Sequence, residues 1–249
     1  MYVVTLLVVA AVFCGALTRS TFAFGEAVVG MPLLALLPIS LHTAVSLMGL
    51  VGLTIAVLAI ATGGWRHIDR TALVRLGVSA LIGIPFGLAL IRIAPVGSIT
   101  TVLGAVLIVY GGYSLAEQLS VRKTMRLQLA DQRWAPVFGF ASGVLGSAYN
   151  FNGVPVAVYG SLRGWPPDRF RGTLQAHFLL TGVLIVAGQG LGGLWTAEVF
   201  RLYLLSIPAM ALATVLGARL RQRIPVVRFR RYVLILVMAL GVLMLIKAG

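Results

Sequence analysis

One cation and one anion are the residues best able to do chemistry in this sequence. Arg19 and Glu26 lie seven positions apart in the stretch "TRSTFAFGE", and the first 64 residues contain no other charged side chain. An arginine at the middle of a bilayer costs roughly 3 kcal/mol on insertion scales, so it usually faces protein or a water-filled cavity. We expect either that Arg19 binds an anion or that it forms a structural salt bridge with Glu26. In the first case Glu26 pairs with Arg19 when the site is empty, or carries a coupling proton.

Neutral hydrogen-bonding side chains occur beside Arg19 and in a second stretch, "GSAYNFNG" at 146–153. Those beside the arginine carry hydroxyl groups: Thr18, Ser20 and Thr21. Those of the second stretch are Tyr149, Asn150 and Asn152, with Gly153 at its end. Both sets could donate hydrogen bonds to an oxyanion. Because asparagine tolerates left-handed backbone and caps helices, capping explains the second set equally well.

A polar stripe on one later segment supplies a further candidate. Thr173, His177 and Thr181 recur every four residues, which places them on one face of a helix. His177 could couple transport to protons, because histidine titrates near neutral pH, and a hydrogen-bonded core histidine fits the same pattern. A separate face of small residues predicts close helix packing rather than chemistry: Ser46, Gly49 and Gly52.

The composition determines the elements that must position these residues. The chain has 249 residues, of which 59% are hydrophobic and 10% charged, with a mean hydropathy of +1.01. Soluble domains average about 25% charged residues. Several apolar runs reach the roughly 20 residues that cross a bilayer as a helix, and they lack the alternation of membrane β-strands. We therefore predict an all-helical integral membrane protein.

The charge distribution predicts a topology. The net charge is +14, and the basic residues cluster between apolar runs, which is the positive-inside pattern of membrane proteins and not a nucleic-acid surface. We predict four cytoplasmic loops, at 63–75, 120–134, 163–171 and 219–231. The single cysteine, Cys14, excludes an internal disulfide, and we expect it to be a small buried core residue.

An internal repeat divides the chain into two halves. Gly-x-Pro occurs at 30–32 and at 153–155, and a second proline follows 53 residues later in each half, at Pro85 and at Pro208. The predicted division is a first transmembrane repeat at 1–119, a basic connecting loop at 120–134 and a second repeat at 135–249.

Each half begins with two short apolar segments, 2–18 and 22–37 in the first half and 135–149 and 151–162 in the second. Each pair predicts a broken or re-entrant helical hairpin, at 2–37 and at 135–162. Three longer segments follow each hairpin. They are 41–62, 71–94 and 97–119, then 172–192, 197–218 and 226–247. If the basic loops share one side, each half crosses the membrane an odd number of times, so the halves are inverted. The expected fold has two inverted-topology repeats, eight to ten helical segments and both termini outside; whether the hairpins cross twice or re-enter is left open.

This architecture is typical of secondary transporters, whose substrates bind near mid-membrane where interrupted helices meet. The free N–H groups at the start of a half-helix favour anions there. The sequence has no glycine-rich phosphate loop followed by lysine and no histidine–glutamate zinc motif. We therefore expect a small anion as substrate and protons as coupling ion, with no enzyme activity, cofactor or metal.

Both hairpins carry a resemblance to a known family. The stretches "GALTRSTFAFGEAVVGMPLLALL" and "GVLGSAYNFNGVPVAVYGSLRGWPPDRFRGTLQ" resemble the sulfite exporter TauE/SafE family, also called the toluene sulfonate uptake permease family. The similarity covers both halves. It implies a multi-pass permease of the cell membrane that moves sulfite, organosulfonates or similar oxyanions, coupled to the proton-motive force.

Two alternatives to a permease stay open at this point. An anion channel of the same architecture would use the same site chemistry, but its flux would neither saturate nor run uphill. A membrane assembly subunit without flux would leave Arg19 and Glu26 as a structural salt bridge. An intramembrane enzyme is the weakest alternative. The sequence does not give the substrate, the direction of transport or the oligomeric state, and a homodimer is left open.

Overall fold

The computed structural model describes residues 2–61, 67–93, 96–119 and 131–223, with seven further residues between 235 and 246. The first four of these ranges form nine α-helices and a short 3-10 helix, Gln132–Trp134. The α-helices are α1 (Tyr2–Phe22), α2 (Glu26–Ala35), α3 (Leu41–Ala59), α4 (Arg70–Ile93), α5 (Val96–Leu119), α6 (Ala135–Tyr149), α7 (Gly153–Leu162), α8 (Pro167–Leu191) and α9 (Ala197–Arg223). The described ranges contain no strand, so the predicted all-helical fold is confirmed.

Among the described residues, five helices are long and apolar enough to cross a membrane: α1, α3, α4, α8 and α9. The chain is therefore a multi-pass membrane protein, as predicted. Helices α2 and α7 have ten residues each, too few to cross about 30 Å of hydrocarbon at about 1.5 Å per residue. Each packs against the helix before it across a break of three residues, so both predicted hairpins are present.

Helix α1 differs from its prediction in two respects. We expected its segment to end near residue 18, but α1 continues to Phe22 and is long enough to span. Thr18 and Thr21 are accommodated because their hydroxyls donate to the helix's own carbonyl oxygens, those of Cys14 and Leu17, at 2.8 Å each. The expectation of a buried Cys14 is wrong: its side chain is exposed on the outer face of α1.

Left-handed backbone ends the first arm of each hairpin. Ala23 has φ 72° and Asn150 has φ 60°. At the second break the N–H of Asn150 donates to Gly146 O at 2.7 Å and the N–H of Phe151 to Leu145 O at 3.1 Å, which closes the end of α6. The predicted tolerance of asparagine for this conformation is confirmed at Asn150. Alanine adopts it at a higher steric cost.

The helices of the two halves correspond at a constant offset of 127 residues. Three pairs of positions show it: the starts of α2 and α7 (Glu26 and Gly153), the starts of α4 and α9 (Arg70 and Ala197), and the left-handed residues Ala23 and Asn150. The helix contacts exchange in the same way, because α1 packs on α9 as α6 packs on α4, and α3 packs on α9 as α8 packs on α4. This pattern supports the predicted repeat.

The Gly-x-Pro motifs do not follow this offset. Pro32 is the seventh residue of α2, whereas Pro155 is the third residue of α7. Four residues make about one helical turn. The matched prolines therefore lie one turn apart in the structure, and the register that they suggested for the repeat is wrong.

Helices α3 and α8 pack against each other in opposite directions. Gly49 of α3 lies against Gln189 of α8, and Leu53, further along α3, lies against Gly182, earlier in α8. Since α3 and α8 are equivalent under the offset, their antiparallel packing agrees with inverted halves. The membrane orientation and the repeat boundaries stay predictions. Residues 62–66, 120–130 and most of the last apolar segment lie outside the described residues.

Glycines bring α4 and α6 into backbone contact. A Cβ atom at Gly83 or Gly87 of α4 would overlap backbone atoms of α6. In the reverse direction, a Cβ at Gly143 of α6 would overlap the carbonyl oxygen of Ala80. Small residues of this kind let transmembrane helices approach closely. Helix α6, the first arm of the second hairpin, is therefore held in direct backbone contact with α4.

We predict that Gly143→Ala lowers the stability of the purified protein by about 1–3 kcal/mol, the usual cost of an overpacked core. The measurement is thermal unfolding in detergent. Gly112→Ala in α5 is the matched control, because no described atom lies within 4 Å of its added Cβ. An unchanged midpoint for Gly143→Ala would contradict the close backbone contact.

Candidate functional site

Arg19 lies in the last turn of α1 and is 1% exposed. Its Nη1 donates to Oε1 of Glu26 and to the backbone oxygen of Gly52 in α3, the latter at 3.1 Å. Its Nη2 donates to Oε1 of Gln175 in α8 at 3.1 Å. The guanidinium carbon lies 4.2 Å from the ring centroid of Phe178, a cation–π contact. Arg19 and Glu26 therefore form a buried ion pair, and Arg19 does not reach out to the cytoplasm.

Glu26 is the first residue of α2 and is 4% exposed. The free N–H groups of a helix start stabilise a carboxylate at this position. The ion pair thus joins the two arms of the first hairpin across the break at 23–25. Each charge is compensated within the protein, which is the condition for burying charges away from water.

Sequence reasoning assigned no role to Gln175 or Phe178, which complete the surroundings of Arg19. Gln175 accepts from Arg19, and its Nε2 donates to the carbonyl oxygen of Ala23 at 2.9 Å. One amide therefore holds both the arginine and the left-handed turn. An amide side chain inside a transmembrane helix was the available indication, because such groups bond across helices.

A small cavity lies between the tips of the two hairpins. Its volume is about 20 Å³, which is room for about one water molecule. The first hairpin contributes Arg19 and Glu26 to its wall, and the second contributes Asn150 and Asn152. Helices α3 and α8 supply the rest: Met48, Gly49, Gly52, Leu53, Phe178, Gly182, Ile185 and Val186. The structure thus brings together four of the predicted residues, two from each hairpin.

Two glycines of α3 make room for polar side chains along this cavity. A Cβ at Gly52 would lie 3.1 Å from Oε1 of Glu26 and 3.6 Å from Nη1 of Arg19. A Cβ at Gly49 would lie 2.5 Å from Oε1 of Gln189. The small-residue face of α3 was predicted to serve helix packing. At Gly52 and Gly49 the missing side chain makes room instead for the ion pair and for the amide of Gln189.

The three hydroxyl residues beside Arg19 do not line the cavity. The hydroxyls of Thr18 and Thr21 are used within α1, and Ser20 packs against Gly217 of α9. Their assignment as anion ligands stays a prediction, and this placement does not favour it.

Tyr149 and Gly153 also lie outside the cavity wall. The ring of Tyr149 is 1% exposed and belongs to the hydrophobic core. A Cβ at Gly153 would overlap the ring of Phe178, so this glycine gives the ring its place above Arg19. Gly153 therefore positions Phe178 in this conformation and offers no donor to the cavity.

The asparagines of the second tip border the cavity, and each amide uses one of its two N–H groups within the protein. Nδ2 of Asn150 donates to Val45 O at 2.6 Å. Nδ2 of Asn152 donates to Oγ1 of Thr181 at 2.9 Å. Asn152 precedes α7 without capping it through its side chain. Only the second N–H of each amide is left to donate to an anion while these contacts persist.

His177 ties the second tip to α8. Oγ of Ser142 donates to Asn152 O at 2.6 Å and lies 2.7 Å from Nε2 of His177. Because the serine proton is used by Asn152, Nε2 carries the imidazole proton and donates to Ser142. Nδ1 is buried without a partner among the described residues. His177 does not border the cavity, so its geometry favours a hydrogen-bonded core histidine over a direct partner of the anion.

Glu26, the first residue of α2, and Asn152, the residue before α7, both border the cavity. The starts of α2 and α7 therefore lie next to it, and the partial positive charge of a helix start favours an anion. Together with Arg19 they make the cavity an environment suited to an anion, while Glu26 supplies the balancing charge.

A multi-pass membrane protein with two interrupted hairpins around a buried ion pair has the architecture of a secondary transporter. The model of the family described as "Sulfite exporter TauE/SafE" matches residues 7–244. The chain belongs to this family of membrane transporters of sulfur-containing anions, which confirms the resemblance found in the sequence. It is a permease family and not an enzyme family. No curated protein and no solved structure matches the chain.

We predict that Ala23→Gly raises the stability of the detergent-purified protein by roughly 1 kcal/mol, because glycine adopts positive φ without steric cost. Ala16→Gly, seven residues earlier in the interior of α1, is the matched control, and it should lower the stability by about 1 kcal/mol as an interior helix substitution does. The measurement is the thermal unfolding midpoint. A lower midpoint for Ala23→Gly would contradict the left-handed conformation of this residue.

Proposed function

We propose that the protein is a secondary-active permease that moves sulfite, organosulfonates or similar oxyanions across the cell membrane, with protons as the coupling ion. The single observation that carries the proposal is the fully buried Arg19–Glu26 pair beside a cavity bordered by both hairpin tips. Family membership supplies the sulfur chemistry of the substrate. The export or import direction and a homodimer are not part of the proposal.

The substrate anion takes the place of Glu26 on Arg19. A guanidinium offers parallel N–H donors that match two oxygens of a sulfite or sulfonate group. In the structure Arg19 donates one hydrogen bond to Glu26 and two to uncharged oxygens, and its Nε has no partner among the described residues. Exchange of one anion for another on the same cation keeps the arginine paired throughout.

Displacement of Glu26 creates the demand for a proton. A carboxylate left alone in a buried site is strongly unfavourable, typically by several kcal/mol, so it binds a proton or moves to water. Anion and proton therefore enter together. His177, predicted as a second proton carrier, is separated from the cavity, and its contribution stays a prediction tested below.

The small size of the cavity requires a conformational change in each transport cycle. Its volume of about 20 Å³ holds about one water, whereas sulfite has four heavy atoms. In the described conformation the cavity is therefore too small for the substrate. Alternating access through movement of the hairpins against α3 and α8 would open the cavity to one side at a time. Rocking and elevator movements both satisfy this requirement.

The first experiment measures uptake of sulfite, sulfoacetate and sulfate into proteoliposomes, with and without an imposed pH gradient. Saturable uptake of one anion that the gradient accelerates is the expected result. Flux that neither saturates nor responds to the gradient would identify a channel. No flux of any of the three anions through folded protein would remove the sulfur assignment.

Replacement of Arg19 by alanine should abolish saturable uptake. Two charge-assisted hydrogen bonds contribute about 3 kcal/mol, or roughly a hundredfold in affinity. Arg133→Ala is the matched control, because Arg133 is 87% exposed in a surface ion pair with Asp131. Since Arg19→Ala leaves Glu26 unpaired and can disturb folding, the neutral pair Arg19→Gln with Glu26→Gln is measured as well. Wild-type uptake by either folded variant would refute Arg19 as the anion site.

Replacement of Glu26 by glutamine should remove the response to the pH gradient. Glutamine keeps the oxygen that accepts from Arg19 but cannot carry a proton, so exchange of anions across the membrane should persist. For a cotransported proton, acid on the side of uptake accelerates the wild-type protein and leaves Glu26→Gln unchanged. A gradient response equal to wild type would exclude Glu26 as the carrier.

The same measurement on His177→Gln tests the other predicted carrier. A lost gradient response would identify His177 as the proton carrier. A retained gradient response with a lower unfolding midpoint would instead show that His177 stabilises the protein through its contact with Ser142.

A further inference from the structure

We propose that Gln189 is a second contact for the transported anion. The position on α3 that it faces lies about one helical turn from the position that faces Arg19. This inference rests on the proposed function, which assigns Gln189 no role. Gln189 lies near the end of α8 and is 0% exposed. Neither its Oε1 nor its Nε2 has a hydrogen-bond partner among the described residues.

The amide of Gln189 adjoins the cavity at the tip of the second hairpin. A Cβ at Gly49 would lie 2.5 Å from Oε1 of Gln189 and 3.3 Å from Oδ1 of Asn150. Gly49 and Asn150 both belong to the cavity wall. Because Nδ2 of Asn150 is bonded to Val45 O, the oxygen of Asn150 is directed toward Gly49. The amides of Gln189 and Asn150 therefore both lie beside Gly49, where α3 has no side chain.

The distance between the two polar positions is short. Gly52 faces the Arg19–Glu26 pair, and Gly49 faces Gln189. Three residues of a helix advance about 4.5 Å along its axis. An anion that leaves Arg19 toward the second tip therefore meets the amide of Gln189 after a movement of about one helical turn.

An unpaired buried amide destabilises the protein, and a role in transport would explain why it is present. A buried polar group without a partner costs roughly 1–3 kcal/mol, and leucine or methionine would fill the same volume without it. The last side-chain torsion of glutamine is broad, so the amide can turn its NH₂ group toward an oxyanion. A neutral donor holds an anion more weakly than an arginine does, which permits onward movement and release.

The test compares Gln189→Leu with wild type in proteoliposomes. We expect the maximal rate of sulfite counterflow to fall about tenfold, the equivalent of one lost hydrogen bond. Equilibrium binding of sulfite to the detergent-purified protein should persist, because Arg19 is intact. The unfolding midpoint should stay equal or rise, because an unpaired polar group is removed. Gln189→Glu, of the same shape, should slow counterflow further by repelling the anion.

Ser206→Ala is the control for loss of a buried polar group elsewhere, because Ser206 bonds only to Leu202 O of its own helix among the described residues. Its counterflow should equal that of wild type. Normal counterflow through Gln189→Leu would overturn the role of Gln189 alone, and so would a rate that falls together with the midpoint. Absence of sulfite flux through the wild-type protein would overturn the proposed function and this inference with it.

Discussion

The ion pair between Arg19 and Glu26 is the interaction on which the rest of the site depends. Its two charges are buried where water does not compensate them, and loss of one partner from such a pair typically costs about 3–5 kcal/mol. The pair therefore constrains every element around it. Helix α1 must end just after the arginine, α2 must begin with the acid, and α3 must present Gly52. Helix α8 must add the amide of Gln175 and the ring of Phe178.

The same constraint connects structure to transport. A buried cation that always needs a partner can exchange one anion for another at little cost, whereas it cannot be left alone. In the proposed function the carboxylate of Glu26 occupies the place of the substrate on Arg19, and its protonation follows from substrate binding. The glycines of α3 contribute by leaving space for polar groups where two helices would otherwise pack side chain against side chain.

The sequence predicted the fold class and the two hairpins because hydropathy and helix length follow from composition, and because Arg19 and Glu26 are conspicuous in an apolar segment. It placed the first break too early, since the threonine hydroxyls bond within α1 and continue the helix. It also missed Gln175, Phe178 and Gln189. These residues reach the site from α8 only through tertiary packing, and no pattern along the chain shows which face of a helix meets a hairpin more than a hundred residues away.

The offset of 127 residues between the halves shows that the two halves contribute unequally to the site. The positions equivalent to Arg19 and Glu26 in the second half are Gly146 and Gly153. Both charges thus belong to one half, while its counterpart contributes glycines, amides and close backbone contacts. In the proposed function, a charge of the first half pairs with the anion and the second half supplies only neutral contacts, so the two halves play unequal parts in one site.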